Sequence, residues 1–189
     1  MEHLTLQIVG GTLYLLNKIF LNLMERRRGD VEQFWLWRKL AWAVYLLGLP
    51  PIVWIFFLER DWIFGTIELG GVPAMLCGLI AAFNRKGAPS WLDRLALVAI
   101  PVGLGLSVWD FGGITTSTQL LEIAGSAGFL IGTYLLAKDR QSGYYWFMLM
   151  NVATGILLGL QGYYLFVPQQ IISIILIADA YRVRRRVQK

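Results

Sequence analysis

Residues that carry chemistry are scarce in this chain. There is one histidine, His3, and one cysteine, Cys77, so neither a His/Cys zinc site nor an intramolecular disulfide can be assembled. No glycine-rich loop ending in Lys-Ser or Lys-Thr is present, which excludes a nucleotide-driven pump within the chain. No Gly-x-Ser-x-Gly elbow offers a serine nucleophile, and no regular arginine series marks a voltage sensor. The first residues lack a basic segment followed by a cleavage site, so no removable signal peptide is expected. Charge itself is thin. Asp, Glu, Lys and Arg make up 15% of the residues, against about 25% in ordinary globular chains.

What fills the chain is hydrocarbon. Apolar residues reach 57%, mean hydropathy is +0.57, and the apolar residues come in long runs. Runs of about twenty match the roughly 30 Å of a bilayer core. They are too continuous and too poor in alternation for a transmembrane barrel. A helical bundle is what remains, because lipid leaves no partner for an unpaired backbone. The runs predict an all-α integral membrane protein with seven spans, at 5–24, 36–58, 62–83, 91–109, 118–137, 144–160 and 163–181. They use nearly the whole chain and leave no room for a soluble domain.

The loops alternate in charge. Arg26, Arg27, Arg28, Arg38 and Lys39 follow the first span, and Arg85, Lys86 and Arg94 the third. Lys138 and Arg140 follow the fifth, and Arg182, Arg184, Arg185, Arg186 and Lys189 the seventh. The other loops hold Arg60, beside Glu59 and Asp61, and Asp110. Lys/Arg bias in short loops marks the cytoplasmic side, so the N-terminus is expected outside and the C-terminus inside. This topology accounts for the net charge of +5 without a nucleic-acid partner. Trp35, Trp37, Trp62, Trp91, Trp109, Tyr144, Tyr145 and Tyr163 fall near span ends, where amphipathic rings anchor in the interface. Pro50, Pro51, Pro73, Pro101 and Pro168 fall within spans and predict kinks.

An internal repeat is visible. Glu68-Leu-Gly-Gly, then Gly78 and Arg85-Lys86, aligns without gaps on Glu122-Ile-Ala-Gly, then Gly132 and Lys138-Asp139-Arg140. Gln7-Ile-Val-Gly opens the first span in a similar way. Parallel repeats of this kind occur in carriers. The tight spacing of Gly70, Gly71, Ala74 and Gly78, of Gly125, Gly128 and Gly132, and of Gly155 and Gly159 allows close helix approach.

A few polar residues stand inside the apolar runs. Asn151 lies mid-span, where its amide must find a partner or lose a few kcal/mol. It either faces a ligand or ties α-helices together. Gln169 and Gln170 follow Pro168 and point about 100° apart, so at most one is well placed in a shared cavity; the proline suggests a locally opened helix. Glu68 and Glu122 lie about a turn and a half inside the outer interface, suited to a gating or structural role. Asp179 is expected to pair with Arg182 in the tail. Lys18, Asn17 and Asn22 give the first span a polar side that should face protein or water. With Asp179 on the opposite side of the membrane from both glutamates, one intramembrane active site is disfavoured.

Spans five to seven resemble the C-terminal half of the PnuC-type vitamin transporters. The resemblance rests on Glu122-Ile-x-Gly, a basic turn, the aromatic start Tyr144-Tyr145-Trp146-Phe147 and Asn151. It continues through Gly162-x-Tyr-Leu and the ending Tyr181-Arg-x-Arg-Arg. It covers about a third of the chain in residues and the rest in topology. It implies a SWEET-like fold: a first three-helix bundle at 1–84, a linking helix at 85–116 and a second bundle at 117–189. A three-hairpin arrangement is the alternative that the repeat leaves open. The resemblance further implies facilitated diffusion of a vitamin-like or nucleoside-like metabolite across the inner membrane by alternating access. Asn151, Gln169 and Gln170 would hydrogen-bond the solute, and Trp146 and Tyr145 would stack on its ring. The family's second tryptophan, a turn from the first, has no counterpart here. No enzyme activity, cofactor or metal is expected; the bilayer and a small solute are the partners, with a homo-oligomer left open. The rival readings are a non-transporting membrane subunit and, behind it, an intramembrane lipid-modifying enzyme.

Overall fold

A computed structural model of the chain describes residues 2–58, 62–110, 117–160 and 167–187. The loop of Glu59, Arg60 and Asp61, the turn at 161–164 with the Gly-x-Tyr-Leu motif, and Lys189 lie outside the described residues. Those described form helices, without a strand: α1 (Glu2–Arg26), α2 (Val31–Leu58), α3 (Trp62–Gly70), α4 (Val72–Asn84), α5 (Ser90–Asp110), α6 (Ser117–Ala137), α7 (Gly143–Leu160) and α8 (Val167–Val187).

Among the described residues, six stretches are long and apolar enough to cross a membrane, with α3 and α4 counted as one. The last helix, α8, has an apolar first half and ends in Arg184, Arg185 and Arg186. Composition and fold are those of a multi-pass membrane protein. The outer surface agrees: Leu47, Val98, Trp109 and Ile175 are exposed, as lipid-facing side chains must be when no water-filled exterior penalises them.

The helices close into a ring in chain order. α1 packs between α2 and α8, α2 against α3 and α4, these against α5, α5 and α4 against α6, α6 against α7, and α7 against α8. Inside the ring the fully buried side chains are large, among them Trp42, Tyr45, Tyr144, Phe147 and Met75. Small residues set how near the helices come. A Cβ on Gly128 of α6 would lie 2.6 Å from the Trp146 carbonyl oxygen and 2.7 Å from the Met150 nitrogen. The backbones of α6 and α7 therefore touch there, as small-residue faces allow.

The third span is not one helix. It breaks at Gly71, whose N–H donates to the Glu68 carbonyl at 3.1 Å and closes α3 with a turn. Pro73, in the first turn of α4, cannot donate to the carbonyl four residues back. A Cβ on Gly71 would lie 2.4 Å from Phe129 Cζ, so the ring of α6 fills the notch. The repeat partner Glu122-Ile-Ala-Gly has no such break, since α6 runs through it; a proline is what the two copies do not share.

Pro168 also departs from expectation. It stands in the first turn of α8, where a missing N–H costs nothing, so it starts the helix and opens no gap in it.

Candidate functional site

A cavity of about 570 Å³ lies inside the ring. Its walls come from α1, α2, α3, α6, α7 and α8, with no residue of α5. On α1 the lining extends from Gln7 to Lys18, about 16 Å along the axis at 1.5 Å per residue. The volume falls within the range of small-molecule sites.

Asn151, Gln169 and Gln170 all line it. Their bonds differ in kind. Asn151, 2% exposed, donates to the Phe147 carbonyl of its own helix at 2.5 Å. That bond ties nothing across helices. Gln169 Nε2 instead donates to the Gly11 carbonyl on α1 at 3.0 Å and links α8 to α1. Gln170 packs against Gly155 of α7. Both glutamines reach the cavity, which is lined on α8 by Gln169, Gln170 and Ser173, an arc of about 100° at 100° per residue.

Glu68 also lines the cavity, presented by the end of α3 just before the break. Its Oε2 accepts from the Tyr14 hydroxyl at 2.9 Å. One turn along α1 from Tyr14, Lys18 is 2% exposed and forms the floor. Its Nζ donates to Asn17 Oδ1 at 3.0 Å and sits 4.6 Å from the Tyr45 ring centroid and 4.2 Å from that of Phe147. Aromatic faces attract a cation in this geometry. The rest of the polar lining is Gln7, Ser126, Thr154 and Ser173, with Phe56, Phe64 and Phe129 as apolar walls.

Two expected aromatic contacts are corrected. Tyr145 is 54% exposed and shares a hydrogen bond with the Tyr181 hydroxyl, away from the cavity. Trp146 presents its backbone and Cβ to the α6 glycines Gly128 and Gly132. Neither lines the cavity. The reason is helical phase: 100° per residue puts both more than 100° around α7 from Asn151. The site's rings come from α1, α2, α3 and α6 instead. Glu122 does not line the cavity either. It lies on α6 a turn before Gly125, the first α6 residue to reach the wall.

Below the floor, at the end of the bundle where the basic loops gather, a second polar cluster closes the ring. Glu25 is fully buried; Arg28 Nε donates to it at 2.6 Å, and Arg184 Nη1 lies 3.4 Å away. Asp139 accepts from Arg28 at 2.7 Å and from Arg184 at 3.0 Å, with Arg38 Nη1 at 3.5 Å. Arg184 also donates to the Asp139 carbonyl, and Arg38 to that of Ala137 at 2.7 Å. Burial alone would raise the Asp139 pKa, but the Arg28 bond and the charges of Arg28, Arg184 and Arg38 hold it below the ordinary value of 3.8. Burial works against the Arg28 charge as well; the Glu25 and Asp139 carboxylates outweigh it and raise the guanidinium.

Asp139 can reach this cluster because it ends α6 in the left-handed conformation, at φ 54°. The Arg140 N–H returns to the Leu135 carbonyl and the Asp139 N–H to that of Leu136, the bond pair of a Schellman ending. Asp179 follows the same logic of cross-helix pairing. It accepts from Arg26 at 2.6 Å and Asn22 at 2.8 Å, both on α1, and not from Arg182. A tail arginine three residues on was the nearer choice in sequence, but α1 packs directly on α8.

The two asparagines on the polar side of α1 tie it to its neighbours: Asn17 donates to the Ala41 carbonyl of α2 and Asn22 to that of Leu176 on α8. Searches for known counterparts return no matching family model, curated protein or solved structure.

Proposed function

We propose that the chain is a membrane transporter that carries a small vitamin-like or nucleoside-like metabolite by alternating access. The carrying observation is the convergence of Asn151, Gln169, Gln170 and Glu68 on one intramembrane cavity. A structural role alone would distribute such groups among separate helix contacts. The Asn151 amide in particular makes its bond within α7, so it does not serve as a tie between helices.

In this reading the chain crosses the bilayer seven times, with the N-terminus outside and the basic end in the cytoplasm, as the loop charges imply. Residues 1–84 and 117–189 are the two moving halves and α5 the link between them. The cavity lies between those halves and takes no residue from α5, which supports the division. The cluster of Glu25, Arg28, Asp139 and Arg184 then closes the cytoplasmic side while the cavity faces outward. The broken third span resembles the discontinuous helices that line transporter sites. In this reading the solute moves by facilitated diffusion, down its own gradient.

The experiment is uptake into proteoliposomes across a panel of radiolabelled vitamins, nucleosides and amino acids. Saturable flux of at least one solute, absent from protein-free vesicles, is the expected result. Absence of flux for every solute by a protein that remains monodisperse overturns the reading in favour of a non-transporting subunit.

A further inference from the structure

The cavity contains two charged side chains among the described residues that line it, and they are of opposite sign: Lys18 and Glu68. Each has reason to seek a counter-charge. A buried ion in a low-dielectric layer is stabilised only by pairing and hydrogen bonds. Yet the two do not form an ion pair with one another; no carboxylate oxygen among the described residues comes within 4.0 Å of the ammonium. Lys18 carries three donors, and its hydrogen bond goes to Asn17 Oδ1. The rings of Tyr45 and Phe147 cover other sides of the ammonium and hold it in place. Glu68 is held in turn by the Tyr14 hydroxyl. Tyr14 and Lys18 are four residues apart on one helix and so share a face. The carboxylate and the ammonium are therefore fixed apart from each other along one wall.

We propose that the solute is zwitterionic, with its anionic group on the Lys18 ammonium and its cationic group on the Glu68 carboxylate. This rests on the transporter reading of the same cavity and narrows it to solutes with two separated opposite charges. The site is neutral in sum, so a neutral dipolar solute replaces the lost hydration of both ends at once. A simple anion leaves Glu68 without a counter-charge, and a simple cation leaves Lys18 so. Asn151 and Gln170 remain for a further polar group of the solute, and the rings of Phe56 and Phe64, 4.8 Å between centroids and inclined at 52°, for an apolar one.

The test uses the full chain in lipid nanodiscs and the twenty protein amino acids as probes, each beside its decarboxylated amine and its deaminated acid. Binding is read by equilibrium dialysis and by thermal shift. The expected result is at least one amino acid bound tenfold or more tighter than both of its single-charge counterparts. Lys18→Met should reduce its preference over the matching amine to threefold or less, and Glu68→Gln its preference over the matching acid. Should Lys18→Met not fold, Lys18→Arg serves: it retains the positive charge and should retain the preference. The proposal is overturned if no amino acid binds, or if an amine, an acid or an inorganic ion occupies the site as tightly as every zwitterion. The two readings fail separately. Zwitterion binding without flux removes transport and leaves the inference; flux of a nucleoside that amino acids do not compete for removes the inference and leaves transport.

Discussion

The Tyr144 hydroxyl donates to Glu25 Oε1 at 2.6 Å, and both side chains are closed off from solvent. The bond joins the last turn of α1 to the first turn of α7, at the end of the bundle where the basic loops gather. Glu25 there also takes Arg28 and faces Arg184, so one carboxylate holds three helices. Removing one partner from a buried ion pair leaves the other charge uncompensated, at about 3–5 kcal/mol. Glu25→Gln, which keeps the shape, should therefore lower the melting temperature of the detergent-solubilised protein steeply. Tyr144→Phe removes a single hydrogen bond to a charged acceptor and should cost about 1–3 kcal/mol. Because both changes act on one network, the double variant should lose less than the sum. Strict additivity would mean that Tyr144 and Glu25 are not coupled.

Asp139 gives the same cluster a pH dependence. Its carboxyl is held below the ordinary value of 3.8, against the effect of burial, by Arg28, Arg184 and Arg38. For a carboxyl depressed in the folded state, the stabilisation is complete above the unfolded pKa and is lost as pH falls through the folded one. Thermal stability should thus decline as the pH drops below about 4, through this group. Asp139→Asn tolerates the left-handed backbone but cannot ionise, so its stability curve should start lower at neutral pH and be flatter in that acid range. Parallel curves for the two proteins would assign the acid sensitivity elsewhere.

The break in the third span depends on a missing side chain. With Phe129 Cζ 2.4 Å from where a Gly71 Cβ would be, Gly71→Ala forces the ring or the helix end to move, at about 1–3 kcal/mol. Phe129→Leu shortens the obstructing side chain. Combined with Gly71→Ala it should recover much of the lost melting temperature, although Phe129→Leu alone is destabilising. A Gly71→Ala protein as stable as the parent would show that the notch yields freely.

How much of this could be read from the chain depends on what each signal requires. Span positions follow from apolar runs near twenty residues, a length imposed by the bilayer; the described helices overlie the expected spans, with the third broken in two and α8 at 167–187 where 163–181 is expected. The break at Gly71 is present as Gly70-Gly71-Val72-Pro73; the same small residues also occur in the unbroken α6, and Pro73 together with the notch filled by Phe129 separates the cases. Asn151, Gln169 and Gln170 were legible because an amide in an apolar run has few alternatives. The resemblance implies that Trp146 and Tyr145 stack on the solute, but helical phase turns both away from the face of α7 that carries Asn151. Lys18 was visible as a polar residue in α1, but its cage is built by Tyr45 and Phe147 from two other helices. The cluster around Glu25 was masked by its arginines, which read as topology signals; the pairing partners are 111 and 159 positions away in the chain. A buried acid beside a basic run was the available clue.

Asn151 and Gln169 offer the most direct separation of function from structure. Asn151 donates to the Phe147 carbonyl four residues back, a carbonyl that α7 can satisfy through its own backbone ladder. Asn151→Leu, similar in size, should therefore leave the melting temperature within the range of about 1 kcal/mol expected for a lost non-essential hydrogen bond. Gln169 joins α8 to α1 through the Gly11 carbonyl. Gln169→Leu removes that tie between helices, worth about 1 kcal/mol, and places apolar bulk against Gly11, so it should be the less stable of the two. Uptake into proteoliposomes should show the opposite emphasis for Asn151→Leu: a stable protein with flux reduced tenfold or more, because the amide serves the solute and not the fold. If Asn151→Leu transports normally, the cavity amide is not part of the solute path. If it fails to fold while Gln169→Leu survives, the roles of the two amides are reversed, and Asn151 belongs to the framework.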